Sequence, residues 1–385
     1  MADNRAQNGD GARSGSGRDK IELVADGESS APSGQCTEQR PESRSGPRRA
    51  LVLGAGGVLG AAWMTGALAA AQEMLQCALG DADLIVGTSA GSVLAAALRC
   101  GVSTEELVAY QRGEPIGMLA GLGEVHAGPW PRPPRLRLGS PRLALAALTA
   151  PHRVHPAVQA CAWLPIGREN HESLYAMVHV LQSRIPSKAA SAHLTATAAA
   201  AATPGWLDKP TWVVAVDYDS GRKVVFGRPG APLANLAEAV AASCSVPGWY
   251  EPVLIGGRRY VDGGVISVTS LGMLAGEGID EVCVLAPMAS LVADRRYAPH
   301  MHLERRVRSL LTYLLMREVR ELRTAGVKVT VLTPGPEDLA VMGVNLMDPR
   351  RRQAVLETSL RTSPAALAAQ AAPGSGPTRQ REAAA

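Results

Sequence analysis

Aromatic side chains are scarce in this sequence, at 4% of its residues with a single phenylalanine, so any core is filled mainly by small aliphatic groups. The six cysteines, Cys36, Cys77, Cys100, Cys161, Cys244 and Cys283, contain no C-x-x-C pair, which excludes a zinc ribbon and a dense disulfide scaffold. Charge of one sign is also lacking: the net charge is +4 over 385 residues, too little to point to nucleic acid. No run approaches the ~18 apolar residues that a membrane span requires, and the N-terminus has no basic-then-apolar signal pattern. These absences lead to the expectation of a cytoplasmic protein with reduced thiols.

What is present is a globular composition, 46% hydrophobic and 19% charged. Residues 1–48 are rich in Gly, Ser, Asp, Glu and Arg, and residues 363–385 in Ala, Gly, Pro, Gln and Arg. Neither offers enough apolar surface to offset the entropy of ordering, so both are expected to be disordered tails around one folded unit, 49–362. Within that unit strand-like and helix-like runs alternate. Strands are expected at 50–53, 84–86, 211–216, 222–226, 252–255, 258–261, 281–286 and 327–332, with helices at 60–76, 90–99, 233–242 and 303–323. That alternation predicts an α/β fold with a mostly parallel central sheet.

Residues 102–210 read as an irregular insertion. From Val125 to Gly167 there is no acidic residue, while Arg132, Arg135, Arg137, Arg142 and Arg153 stand among prolines, leucines, Trp130 and Trp163. This is either a solvated Pro-rich insertion or a surface for peripheral contact with anionic lipid. The helix at 303–323 sets Leu310, Leu311, Leu314 and Leu315 beside six arginines, which reads as a core-facing stripe with a solvated basic face.

Gly87-Thr88-Ser89-Ala90-Gly91 has the spacing of a nucleophile elbow, directly after an expected strand and directly before a helix. There the helix N-terminus favours developing negative charge. The plain alternative is a strand-to-helix turn with a serine cap. A second glycine loop, Gly54-Ala55-Gly56-Gly57-Val58-Leu59-Gly60, admits two readings, a dinucleotide fingerprint or an oxyanion hole. The first requires an acidic residue at the end of the next strand; that strand ends in Gly87, so the oxyanion reading prevails. A serine needs a base, and Asp262-Gly263-Gly264 after the strand 258–261 is the strongest carboxylate, although an Asp-Gly pair alone reads as a turn. The histidines 126, 152, 155, 171, 179, 193, 300 and 302 carry no local motif.

Together, these three motifs resemble the patatin-like phospholipases. Two further segments, Val213 to Gly221 and Ala242 to Gly248, look like the family's mid-domain strand and turn and its Ser-rich segment, giving a coverage of about 50–290 that leaves 102–210 unmatched. The resemblance implies a three-layer patatin-like fold, with a mostly parallel central sheet flanked by helices. It implies a Ser–Asp dyad with Ser89 as nucleophile and Asp262 as base, and an oxyanion hole at Gly56, Gly57 and Val58. Gly54, Gly60, Gly87, Gly91, Gly263 and Gly264 complete the motifs. The implied activity is hydrolysis of an acyl lipid ester through an acyl-enzyme, with no metal or cofactor and no nucleic acid partner. Where the family has Gly-Gly-Gly-x-Arg-Gly, this chain has Ala55 and Leu59 at the first glycine and the arginine, and Leu59→Arg is expected to be tolerated. The alternatives are an α/β-hydrolase triad of Ser89, Asp262 and His300, and a non-catalytic lipid-binding protein on a hydrolase scaffold. The oligomeric state is not legible in the sequence.

Overall fold

The computed structural model describes residues 46–75, 78–114, 133–149, 152, 154–185, 206–292 and 302–371. Among them, eight strands form one sheet: β1 (Arg49–Leu53), β2 (Leu84–Thr88), β5 (Thr211–Asp217), β6 (Lys223–Phe226), β7 (Val253–Ile255), β8 (Arg258–Asp262), β9 (Glu281–Leu285) and β10 (Lys328–Leu332). A short hairpin of β3 (Arg135–Leu138) and β4 (Pro165–Ile166) stands apart. The sheet order is β10-β9-β1-β2-β5-β8-β7, with β6 also on β5. The strands from β10 to β5 run parallel, whereas β6, β7 and β8 add antiparallel pairings.

Alternation along the strands explains why both faces are covered. Leu51, Leu53, Ile85, Val213 and Ala215 point into one core with helices α1 (Gly57–Leu75), α2 (Ala90–Arg99), α3 (Thr104–Arg112), α6 (Glu172–Gln182), α7 (Leu236–Ser243), α9 (Pro336–Met342) and α10 (Arg352–Ala371). Ala50, Val52, Leu84, Val86, Val214 and Val284 point into the other, against Leu315, Val319 and Leu322 of α8 (His302–Thr324). A third cluster seats α4 (Pro141–Thr149) and α5 (Pro156–Ala162) on Val216, Tyr218 and Val261 of the antiparallel end. The result is the expected three-layer α/β fold with a mostly parallel central sheet.

Three expectations are corrected. The segment 102–210 carries, where it is described, the helices α3 to α6 and the hairpin of β3 and β4, and Leu107, Met177, Val178 and Leu181 are buried in the main core. Of its helices, α3 is fixed by a capping box of Ser103 and Glu106 and ends on Gly113 in the left-handed conformation. The folded part also runs past 362: α10 reaches Ala371, with Ser363 and Leu367 buried and Gly66 of α1 leaving room for Ser359. In α8 only part of the leucine stripe is core, because Leu315 is buried while Leu310 is exposed. His126, Arg132, Trp130, Arg153, His193, His300 and residues 1–45 and 372–385 lie outside the described residues. Among the described residues no helix is long and apolar enough to cross a membrane.

Candidate active site

The central strand β5 brings two distant motifs together. β2 runs parallel to β5 and its last pair is Thr88 with Val214. β8 runs antiparallel to β5 and its last pair is Asp262 with Ala215. Because β6 pairs with Val213 to Val216, it occupies the other edge, so β2 and β8 share one edge and meet with their C-terminal ends facing at consecutive positions of β5. Ser89 follows the first end, and Asp262 is the last residue of the second.

Ser89 has φ 54 and ψ −124, an uncommon conformation for a residue with a side chain, costing about 1–3 kcal/mol that its surroundings must offset. Its N–H donates to Ser243 Oγ at 2.8 Å, and Ser243 donates to the Val214 carbonyl at 2.6 Å, bridging the gap between β2 and β5. The Ser92 amide and hydroxyl both donate to the Ser89 carbonyl, each at 2.7 Å. The glycines around the serine answer to space: a Cβ at Gly87 would lie 2.5 Å from Ser92 Cα, and one at Gly91 2.0 Å from the Leu53 carbonyl oxygen.

Asp262 is buried, and its carboxylate accepts hydrogen bonds from the Ser89 hydroxyl and, at 2.7 Å, from the Gly264 amide. Burial pushes the carboxyl up to about 6, with those two hydrogen bonds pulling the other way. Its own amide donates to the Ser245 carbonyl at 3.0 Å. Gly263 opens the 3-10 turn Gly263–Val265, which reverses the chain beside Val214.

The glycine loop closes the same site. Gly54 donates to Leu285, Ala55 to Val268, Leu59 to Leu346 and Gly60 to Gly56. The amides between them, of Gly56, Gly57 and Val58, have no backbone acceptor among the described residues, and all three residues line a cavity with Ser89 and Asp262. Gly57 has φ 61 at the head of α1, the left-handed conformation that favours glycine. Leu59 is fully buried in the core rather than facing the cavity, which overturns the expectation that an arginine fits there.

The cavity measures about 830 Å³. Its layout follows from α2 and α6. At one end stand Ser89, Asp262 and the polar approach to α6, Glu169, Asn170 and His171, with Ser173 in its first turn; from there Val93, Leu94 and Ala97 of α2 and Leu174, Met177 and Leu181 of α6 line the cavity. At the other end Arg184 donates to the Gly101 carbonyl and pairs with Glu106, tying the end of α6 to the end of α2. From His171 to Leu181 the helix rises about 15 Å. Val102, Leu107, Tyr110 and Gln111 close this apolar arm.

The sequence reading missed Ser243, Ser245 and His171 as individual contributors. The first two lie in the Ser-rich segment it singled out, whereas His171 carries no local signal. Asp217 and Asp219 of the mid-domain turn are structural: Asp217 caps the turn by accepting from the Asp219 and Ser220 amides, and Asp219 pairs with Arg259. Among the described residues no group of three or more His, Cys, Asp or Glu side chains is arranged to hold a metal ion.

Among solved structures the chain is similar to VipD from Legionella pneumophila, with a TM-score of 0.37 and 14% identity over 84% of this chain and 67% of that one. It is also similar to the type III effector protein ExoU, with a TM-score of 0.34 and 15% identity over 84% of this chain and 53% of that one, so it spans about half of ExoU. The model of the patatin-like phospholipase family matches residues 51–114 and 162–274. That match takes in two parts of the segment 102–210 that the sequence reading left out. The two matched stretches hold the glycine loop, the Ser89 elbow and Asp262-Gly263-Gly264, and with the fold they make this chain a member of the patatin-like phospholipase family.

Proposed function

We propose that this protein is a serine lipid acyl hydrolase, cleaving carboxyl esters of phospholipids or other acyl lipids through a Ser89–Asp262 dyad. The observation that carries the reading is a strained serine hydrogen-bonded to a buried carboxylate at the head of a largely apolar cavity. Asp262 takes the hydroxyl proton as Ser89 Oγ attacks the ester carbonyl carbon. A carboxyl raised to about 6 is a better proton acceptor than an ordinary aspartate, yet remains ionised near neutral pH. The carbonyl oxygen becomes an oxyanion, held by the amides of Gly56, Gly57 and Val58. Collapse breaks the ester bond, and the leaving alkoxide takes the proton from Asp262. Water then attacks the acyl-serine, again with Asp262 as base, and the fatty acid departs.

The catalytic domain in this reading comprises residues 49–371. Exposed Leu145 and Leu148 on α4, next to exposed Arg142, support peripheral contact with a lipid surface. The reading is tested by mixing the protein with a medium-chain ester, quenching in acid and locating the acyl group by peptide mass spectrometry. Acyl mass on the Ser89 peptide, with release of the alcohol, is expected; hydrolysis with the acyl group on another residue rejects the assignment.

A further inference from the structure

The ester chemistry leaves the buried imidazole at the reacting end of the cavity without a role. His171 sits at the start of α6, is 7% exposed and lines the cavity. Its Nε2 lies 2.9 Å from Ser245 Oγ, and the same Oγ lies 2.8 Å from the Ala241 carbonyl oxygen. A carbonyl only accepts, so the serine hydroxyl donates to Ala241 and the imidazole donates through Nε2–H. Burial pushes the imidazole down to about 4, so the ring is neutral at ordinary pH and Nδ1 keeps a free lone pair. No described residue donates to that atom. Tyr250 stacks on the ring at 5.0 Å and Tyr175 meets its edge at 6.4 Å, which fixes its orientation.

The position of His171 says which part of a substrate it meets. The Ser245 residue that it bonds also accepts the Asp262 amide, so His171 belongs to the reacting end of the cavity, about 15 Å along α6 from the apolar end. With an acyl chain in the apolar arm, the group left at this end is the alcohol. An acceptor without a hydrogen calls for a donor, and a free hydroxyl is the donor an ester alcohol can carry.

We propose that Nδ1 of His171 accepts a hydrogen bond from an unesterified hydroxyl on the alcohol portion, so that the favoured substrates are monoacyl esters of polyols. This rests on the hydrolase reading for the direction in which the ester lies, but binding alone tests it.

The experiment measures calorimetric binding of 1-monooctanoylglycerol and of propyl octanoate, which lacks the two hydroxyls, to the Ser89→Ala protein. The glycerol ester is expected to bind about tenfold tighter or more. In the same background His171→Gln retains a donor for Ser245 but offers no acceptor at the Nδ1 position, and the affinity ratio is expected to fall to near one. His171→Asn, whose Oδ1 lies near the place of Nδ1, is expected to keep a preference. Equal or undetectable binding of the two esters, or a preference that survives His171→Gln, overturns the inference. Turnover of both esters by the unsubstituted chain is scored separately. Preference without turnover rejects the hydrolase and keeps the subsite, and turnover without preference does the reverse.

Discussion

The two ends of the cavity are built on different principles. At the reacting end every group is held by hydrogen bonds: Ser89 by a turn locked through Ser243 and Ser92, Asp262 by the end of β8 and the Gly264 amide, and the loop at 56–58 by bonds to β9 and the 346 carbonyl. At the far end the wall includes the apolar side chains of Val102, Leu107 and Leu181, from the segment 102–210. Chemistry requires a fixed geometry, whereas a bed for an acyl chain requires only apolar surface of suitable length. Substitutions at the first end should therefore affect every substrate alike, and substitutions at the second should sort substrates by length.

The largest effect is expected from Ser89→Ala, which should lower ester hydrolysis by about 10⁴-fold or more for short and long acyl chains equally, as read by initial rates. A loss confined to long chains would erase the distinction between the two ends. Leu59→Arg comes next. Burying a guanidinium beneath the glycine loop should cost several kcal/mol, about 3 or more, and appear as insoluble protein or a much lower denaturation midpoint. A folded, active Leu59→Arg protein would show that the loop is not anchored as described. At the opposite end, Leu181→Phe should shorten the arm and reduce kcat/KM about tenfold for dodecanoyl esters with little change for acetyl esters. A uniform loss would make Leu181 part of the general scaffold.

The last effect concerns stability. The folded-state pKa of Asp262 lies above its unfolded value, so its charge opposes folding above about pH 6, and that cost disappears as pH falls toward 4. Asp262→Asn should therefore match or exceed the parent in thermal stability at pH 8, by at most about 3 kcal/mol, with the advantage vanishing near pH 4. A variant that melts lower at pH 8 would mean that the Ser89 and Gly264 hydrogen bonds outweigh the burial of charge.

The same contrast explains what the sequence disclosed. Tight approach leaves a mark, because only glycine fits where Gly91 passes the Leu53 carbonyl, so the elbow, the loop and the β8 turn were legible from spacing. The strands of the sheet were legible too, since Leu51 to Leu53 and Val213 to Val216 are continuous apolar runs as a doubly covered sheet demands. The helices α4 and α5 were not, because their apolar positions are spread among Ala, Arg and Pro with no distinctive stops. Nor was His171, whose partner Ser245 is 74 residues away in the chain. The helical extension to Ala371 was hidden by Pro364 and by an Ala-rich composition, and it is held by contact with α1 instead.

The central claim is that Asp262 activates Ser89. Its most direct test is the rate of Ser89 labelling by a fluorophosphonate, measured from pH 4.5 to pH 8.5 in the parent and in Asp262→Asn. The account predicts a rate that rises with a single ionisation near pH 6 in the parent, the point to which burial pushes Asp262, and a loss of both rate and inflection in the variant. Labelling of folded Asp262→Asn at near-parental rate would contradict it.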